Sequence, residues 1–409
     1  MLISIAVKNF RSFYEKTVFS METGARLRKY TDTNTHKRKQ AHLIKSAFIF
    51  GGNANGKTNV INLFKLLKAL VMRPTRSEVD YLITDTFADN SEPTEIMIKF
   101  LKNDKVFEYT IEYVKNRVIT EILKVNGNGI FARVRDDITL PQGFETLGQY
   151  IRKNQVLLFF AQNNNIPEAK EAYEWIATDL IIPIVDDIQY SIFNELKQNK
   201  SLKEKTIAFL QAADFNILDL ELRERTIKIP VPLSLKVIDG EPELEKGDIV
   251  EHKIPEIYCV HRSNESEQFI LNLDNESAGT KIFLLLAVYI LQNRTQNKVF
   301  LIDEFDSSLH IKLTELLLNL FNKWNTSSQF ITTTHAFDLM DRELRPDQIY
   351  FVEKNRFGKS ELYSVFDFDD PALKRQDYQY KSRYLQGVYG ADQIVDYTSI
   401  ADALGVEDE

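Results

Sequence analysis

SAFIFGGNANGKT, residues 46–58, decides how this chain is read. The apolar run predicts a buried strand at Ser46–Phe50, and Ile61, Phe64, Leu67 and Leu70 predict a helix from about Thr58 to Met72. Between them stands the pattern G-x-x-x-x-G-K-[ST]. A tight glycine turn at the mouth of a helix aims several backbone N–H groups at one point, where a phosphate accepts them together. Lys57 adds a positive charge at the β- and γ-phosphates, and Thr58 offers a hydroxyl to Mg²⁺. The whole chain has 15 glycines, yet three of them, Gly51, Gly52 and Gly56, fall inside this turn, which argues against an ordinary loop. The expected nucleotide-contacting set is Gly51, Asn53, Asn55, Gly56, Lys57, Thr58 and Asn59.

Downstream, Val299-Phe300-Leu301-Ile302-Asp303-Glu304 reads as a buried parallel strand that delivers two acids to a sheet edge. Asp303 would hold magnesium through water, and Glu304 would orient and polarise an attacking water. Alone, such an acid-ended strand is common. Glu276-Ser277-Ala278-Gly279-Thr280 precedes an apolar helix, so Ser277 as N-cap with Gly279 nearby makes a second anion site, although a plain helix cap reads the same. Ser307-Ser308-Leu309-His310 follows the acids, and Gln329–Thr333 predicts a strand that carries His335 towards a terminal phosphate. From Ser277 onward the predicted order is helix, strand (Val299–Ile302), helix, strand (Gln329–Thr333), helix, strand (Gln348–Glu353). That alternation signifies a parallel sheet flanked by helices.

Elsewhere, residues 2–7 and 17–21 predict strands, the basic stretch 24–45 a loop, and 95–133 an antiparallel meander with turns at Asn103-Asp104, Lys115-Asn116 and Asn126-Gly127. Residues 145–213 are predicted mainly helical and lack the heptads of a long coiled coil; 216–260 alternate again. The expected division is a first lobe over 1–150 with the glycine turn and β subdomain, a mainly helical insertion over 151–255, and a second lobe over 256–409.

Composition bounds the function. Lys and Arg number 51 against 59 acids, a net charge of −8, which speaks against a protein that coats nucleic acid, although DNA contact at a local basic face stays possible. Arg26, Arg28, Lys29, Lys37, Arg38 and Lys39 form such a stretch, and a solvated, mobile loop reads equally well. Cys259 is the one cysteine, so neither a disulfide framework nor a Cys-x-x-Cys zinc hook can form, and no Cys/His metal cluster is visible. The start MLISIAVKNF alternates like a strand rather than a signal peptide, and the apolar run Ile282–Leu291 is too short to span a bilayer, so a cytoplasmic protein without membrane contact is expected.

Together, the glycine turn, Ser-x-Gly, Asp-Glu, Ser-Leu-His loop and terminal His resemble the ABC ATPase set in its SMC, RecF and OLD-type variant. NFRSF near the start, ESAGTKIFLLL, VFLIDEFDSSLH, TTTHAFDLM, DQIYFVEKNRFGKSELYSV and YLQGVYG extend the likeness to the stand-alone "AAA-fifteen" ATPases of bacterial anti-phage defence and abortive-infection operons, of the PARIS and RloA types. The resemblance implies an α/β P-loop NTPase of ABC/SMC-head type, with two lobes, an antiparallel β subdomain and a helical insertion. It implies ATP and Mg²⁺ as ligands and an ATPase acting as a head-to-tail homodimer or higher homo-oligomer. It also implies a separate operon-encoded effector of the Toprim nuclease type. A slowly hydrolysing scaffold that cages a partner and a RecF-like repair head are the competing readings. By the same resemblance Arg11 and Ser12 touch nucleotide, Ser277 and Gly279 cap the γ-phosphate of the opposite subunit, and His335 is the switch histidine. The signature reads ESAGT in place of LSGGQ. Gln162 is the expected Q-loop ligand to magnesium, with Gln155 as its rival. The acids Asp367, Asp369 and Asp370 are read as surface charge, since too little chain follows them for a Toprim domain. Tyr378, Tyr380, Tyr384 and Tyr389, with the helices near 165–215, are read either as a docking surface or as a packed satellite core.

Overall fold

Strands that are apolar throughout can satisfy both faces only inside a layered sheet, and the described chain builds one from them. The computed structural model describes residues 1–184, 188–230, 234–238, 241–245, 249–264, 267–323, 327–368, 375, 378–391 and 403. Among these, the strands of the central sheet run in the order Leu180–Ile181, Val299–Ile302, Gln329–Thr333, Ser46–Phe50, Ile349–Lys354 and Ser360–Ser364. The first five pair in parallel and the last is antiparallel. Every residue of Ser46–Phe50, Val299–Ile302 and Gln329–Thr333 is buried, and their parallel sense brings their C-terminal ends to one edge. Helix Lys57–Met72 leaves that edge with Val60, Ile61, Phe64, Leu67, Leu70 and Val71 buried.

The meander forms a second sheet. It orders Asp137–Thr139, Asn128–Val134, Arg117–Val125, Lys105–Val114, Thr94–Lys102, Leu2–Lys8 and Thr17–Ser20, all antiparallel, so the two N-terminal strands join it. Inside it, the carboxylate of Glu121 is fully buried and accepts from Tyr109 Oη (3.0 Å) and from the N–H groups of Leu157 and Leu158 (2.7 Å each). A meander carboxylate thereby caps the helix Leu157–Asn163.

Packing divides the described chain into one unit of 1–182 with 295–409 and another of 183–294. The second unit has an antiparallel sheet of Ile217–Pro230, Ile249–Arg262 and Gln268–Asn272, a hairpin of Ser234–Ile238 with Glu241–Glu245, and helices Ile188–Gln198, Lys200–Ala212 and Ala278–Gln292. Phe283 stacks between Phe209 and Phe215 at centroid distances of 5.3 and 5.0 Å.

Two expectations are corrected. The stretch 24–45 is no solvated loop: it holds a helical turn, Thr31–Asn34, and two short paired strands, Thr35–Lys37 and His42–Ile44. Buried polar groups hold it down. The guanidinium of Arg345, fully buried, donates twice to Asp347 (2.9 and 2.7 Å), and to the Lys29 carbonyl (2.7 Å) and Thr31 hydroxyl (3.1 Å), while Asp347 accepts from Gly24 N at 2.7 Å. Secondly, the helix expected between Thr333 and Gln348 is replaced by two 3₁₀ turns, Phe337–Asp341 and Pro346–Gln348, because Ala336 N bonds back to the Thr334 hydroxyl and a proline restarts the chain at position 346. Of the two readings of the four tyrosines, the structure bears out the packed core. Tyr384 stacks on Phe351 at 5.2 Å and packs against Phe337, and Tyr389 donates to Tyr378 Oη at 2.8 Å. Asp367 caps its own turn by accepting from Ser364 N, whereas Asp369 and Asp370 lie outside the described residues. No described helix is long and apolar enough to cross a membrane.

Replacing Arg345 by Ala leaves Asp347 buried and half-paired. The expected loss is about 3 kcal/mol or more in denaturant unfolding, since removing one partner of a buried ion pair strands the other charge. A midpoint equal to that of the unmodified chain would show that the pair does not anchor the stretch.

Candidate functional site: the phosphate turn and its acids

The turn between Phe50 and Lys57 depends on its glycines. Gly51 has φ +147°, and a Cβ there would stand 2.4 Å from the Val352 carbonyl oxygen. Gly56 has φ +113°, and a Cβ would lie 2.8 Å from both Ser12 Oγ and Ser360 Oγ. Both positions therefore exclude other residues by backbone and by space. Lys57 heads the helix buried, and its Nζ donates to the carbonyls of Gly51 (3.0 Å) and Gly52 (3.1 Å). Burial lowers its pKa, and the nearby carboxylates of Glu304, Asp303 and Asp306 work against that shift.

Thr58 Oγ1 donates to Asp303 Oδ1 at 3.2 Å, so the first turn of the helix meets the end of the acid-bearing strand. The same carboxylate oxygen accepts from Thr333 Oγ1 at 2.5 Å, and that hydroxyl accepts from Glu304 N at 2.7 Å. Glu304 has φ +46°, a left-handed turn that swings its exposed side chain away from the strand line. Ser307 N bonds to the Glu304 carbonyl (2.8 Å) and Leu309 N to that of Asp306 (3.1 Å), which closes the loop after the acids. His335 is exposed, and its backbone N–H donates to Asp306 Oδ2 at 3.2 Å.

A second group of residues flanks the turn. Arg11, at φ +49°, bonds through Nε to Asp85 Oδ2 (2.5 Å) and through Nη1 to Asn59 Oδ1 (3.2 Å). Asn59 Nδ2 donates to Ser12 Oγ at 2.8 Å, Ser360 N to the Ser12 carbonyl at 2.7 Å, and Ser360 Oγ to the Asn55 carbonyl at 2.5 Å. Asn53 is exposed on the turn. Thr333, Ser360, Asp85 and Asp306 were not singled out from the sequence. The run Thr332-Thr333-Thr334 was the available signal for the first, because a hydroxyl at a strand end beside an acid is a natural positioning group.

Thr58 Oγ1 and Asp303 Oδ1 are hard oxygen donors that fit a magnesium ion together with water and phosphate oxygens. The Gln162 amide donates to Asn163 Oδ1 at 2.7 Å, and the Gln155 side-chain oxygen accepts from Arg152 N at 3.4 Å. Ser277 and Gly279 belong to the second unit. Ser277 is exposed at the N-cap of Ala278–Gln292, its Oγ accepting from Thr280 N at 3.0 Å, and Gly279 is buried in the first turn. Cys259, His261 and Glu276 converge in that unit.

A glycine turn between a central parallel strand and a helix, facing an acid-ended strand one strand away, defines the P-loop NTPase fold. Residues 46–341 match the family described as "AAA domain, putative AbiEii toxin, Type IV TA system", and the chain belongs to that family. It is also similar, at 26% identity over 163 residues, to structural maintenance of chromosomes protein 4 of Dictyostelium discoideum, a match that covers 38% of this chain and 11% of that protein. An SMC head bound to the C-terminal winged-helix domain of ScpA aligns at 14% identity and TM-score 0.46, covering 89% of this chain and 97% of the other. The SMC head domain from Thermotoga maritima aligns at 13% identity and TM-score 0.41, covering 89% and 98%.

Thr333→Val should lower unfolding stability by about 1–3 kcal/mol, because Glu304 N–H and an Asp303 oxygen lose their shared partner. Thr333→Ser, which keeps the hydroxyl, should restore most of it. Equal midpoints for the Val variant and the unmodified chain would mean that the acids are held by other contacts.

Proposed function

We propose that this chain binds ATP with Mg²⁺ and hydrolyses it. The observation that carries the reading is the contact of the Thr58 hydroxyl with Asp303 at 3.2 Å, with Glu304 next in sequence and turned outward by its left-handed backbone. In this reading Lys57 exchanges its two turn carbonyls for β- and γ-phosphate oxygens. The N–H groups of the turn and of Thr58 and Asn59 bind the phosphates, and Arg11 and Ser12 hold the nucleotide from the side. Magnesium at Thr58 and Asp303 neutralises phosphate charge. Glu304 accepts a hydrogen bond from the attacking water and orients it in line, and His335 contacts the terminal phosphate. Gln162 is the metal's remaining side-chain ligand in this reading.

The signature serine supports a composite site. Ser277 is exposed at a helix N-terminus in one unit, whereas Lys57 is buried in the other. A head-to-tail dimer then places Ser277 and Gly279 of one subunit on the γ-phosphate held by its partner. We further propose that the ATPase cycle controls a separate toxic effector, a Toprim-type nuclease, in anti-phage defence of the PARIS or RloA kind. The motifs of that resemblance support this. The wording of the matched family favours a second reading, in which the chain is itself the toxic component.

Lys57→Ala should abolish ATP binding, while Glu304→Gln should retain ATP and hydrolyse it about a hundredfold or more slowly, because Glu304 acts on the water and not on the ground state. Nucleotide retention and steady-state turnover measure both, and wild-type turnover in Glu304→Gln would refute the role of that acid.

Ser277→Arg should bind ATP as a monomer yet fail to hydrolyse it, and mixing it with Lys57→Ala should restore at most one site per dimer. Hydrolysis indifferent to Ser277 would remove the composite site. Expressing the chain with and without its neighbouring gene separates the two biological readings: growth arrest by the chain alone would make it the toxin.

A further inference from the structure

Along the strand Ile249–Arg262 side chains alternate, so Cys259 and His261 project from the same face. This strand is the middle one of its sheet: Cys259 faces Leu220 on one side and Leu271 on the other. After Gln268–Asn272 the chain turns through Leu273–Asn275, with Asn272 Oδ1 accepting from Asp274 N, and Glu276 is returned over His261. The result is a buried convergence of three different donors. His261 Nε2 and Glu276 Oε1 are 2.6 Å apart, with side chains 12% and 8% exposed. The thiol of Cys259 is fully buried and lies in hydrogen-bonding reach of Glu276. One ligand atom from each residue falls within 4.8 Å of the others.

We propose that Cys259, His261 and Glu276 bind one divalent transition-metal ion of the zinc class, with a water in the fourth position. Thiolate, imidazole and carboxylate on one small centre are the donor set of zinc and its neighbours, whereas magnesium takes oxygen donors. In a tetrahedral zinc site, bonds of about 2.0–2.3 Å hold the donor atoms roughly 3.5 Å apart. The three ligand atoms, within 4.8 Å of one another, already lie near that spacing. The face is also pre-ordered: the His261 ring stacks on Phe269 at a centroid distance of 5.0 Å, which fixes its plane.

Binding needs no oxidant. The Cys259 thiol loses its proton to solvent and forms the sulfur–metal bond, while His261 and Glu276 exchange their mutual hydrogen bond for lone-pair donation. Without an ion, burial and the neighbouring Glu276 push the thiol up to about 12, so it stays protonated and unreactive at neutral pH. A bound cation inverts that preference. The site bears on the helix after it, since Ser277 follows Glu276 directly and caps Ala278–Gln292. An ion clamping Glu276 to the strand fixes where that helix starts. The proposal concerns metal binding in the second unit and does not rest on ATP hydrolysis.

The test uses the full-length chain, stripped of metal and free of nucleotide, titrated with CoCl₂. The expected result is about one equivalent bound, with a thiolate-to-cobalt charge-transfer band in the near ultraviolet, bleached on adding ZnCl₂. Cys259→Ala should lose that band, and His261→Ala should weaken cobalt binding roughly a hundredfold or more. The spectrum of the unmodified chain decides the matter even if a variant folds poorly. A cobalt spectrum without the thiolate band, or no uptake at all, overturns the proposal and leaves a hydrogen-bonded trio that only packs.

Discussion

The hydroxyl of Thr333 is the joint on which the candidate site depends. It donates to Asp303 and accepts from Glu304 N, so a single side chain on one strand sets both acids on the next. Asp303 in turn meets Thr58 on the helix that leaves the glycine turn. Strand Gln329–Thr333 lies between the strand of the turn and the strand of the acids, which is why it can do this. Two β-strands in direct contact would bring turn and acids too close; one intervening strand, about 4.8 Å from each neighbour, opens space for phosphates between them.

The sheet itself was legible because its information is local. Short runs rich in apolar and β-branched residues, bounded by a glycine turn, paired acids or a polar end, fit buried parallel strands, and Ser46–Phe50, Val299–Ile302 and Gln329–Thr333 are found within the residues their sequence predicts. The meander was legible for the same reason, through strict alternation and turn dipeptides. The helix Lys57–Met72 followed from one apolar stripe.

What escaped the reading depends on partners far away in sequence. The basic stretch 24–45 looks like loop by composition, and its partners, Arg345 and Asp347 among them, lie about three hundred residues later. The tyrosines of the tail read as surface or core until Phe337 and Phe351 are seen beneath them. The absent helix after Thr333 had no periodicity to contradict it, only Pro346 to interrupt it. Cys259 and His261 are neighbours but one in the sequence, yet they look like ordinary strand residues until Glu276 comes back across them. Ser360 reaches the turn, and Asp85 reaches Arg11 beside it, from segments far away in sequence.

The order of strands in the central sheet also sets a schedule for synthesis. The strand Ser46–Phe50 pairs natively with Gln329–Thr333 on one side and Ile349–Lys354 on the other. A ribosome adding residues at about 5–20 per second makes those partners some tens of seconds to a minute or so after it makes that strand. The meander 94–139 pairs largely with itself and can close long before then. For the interval between, an apolar strand and its glycine turn exist with both edges unpaired, which is the state chaperones engage. Joining two distant segments through one sheet thus leaves that strand's edges open until both partners have been made.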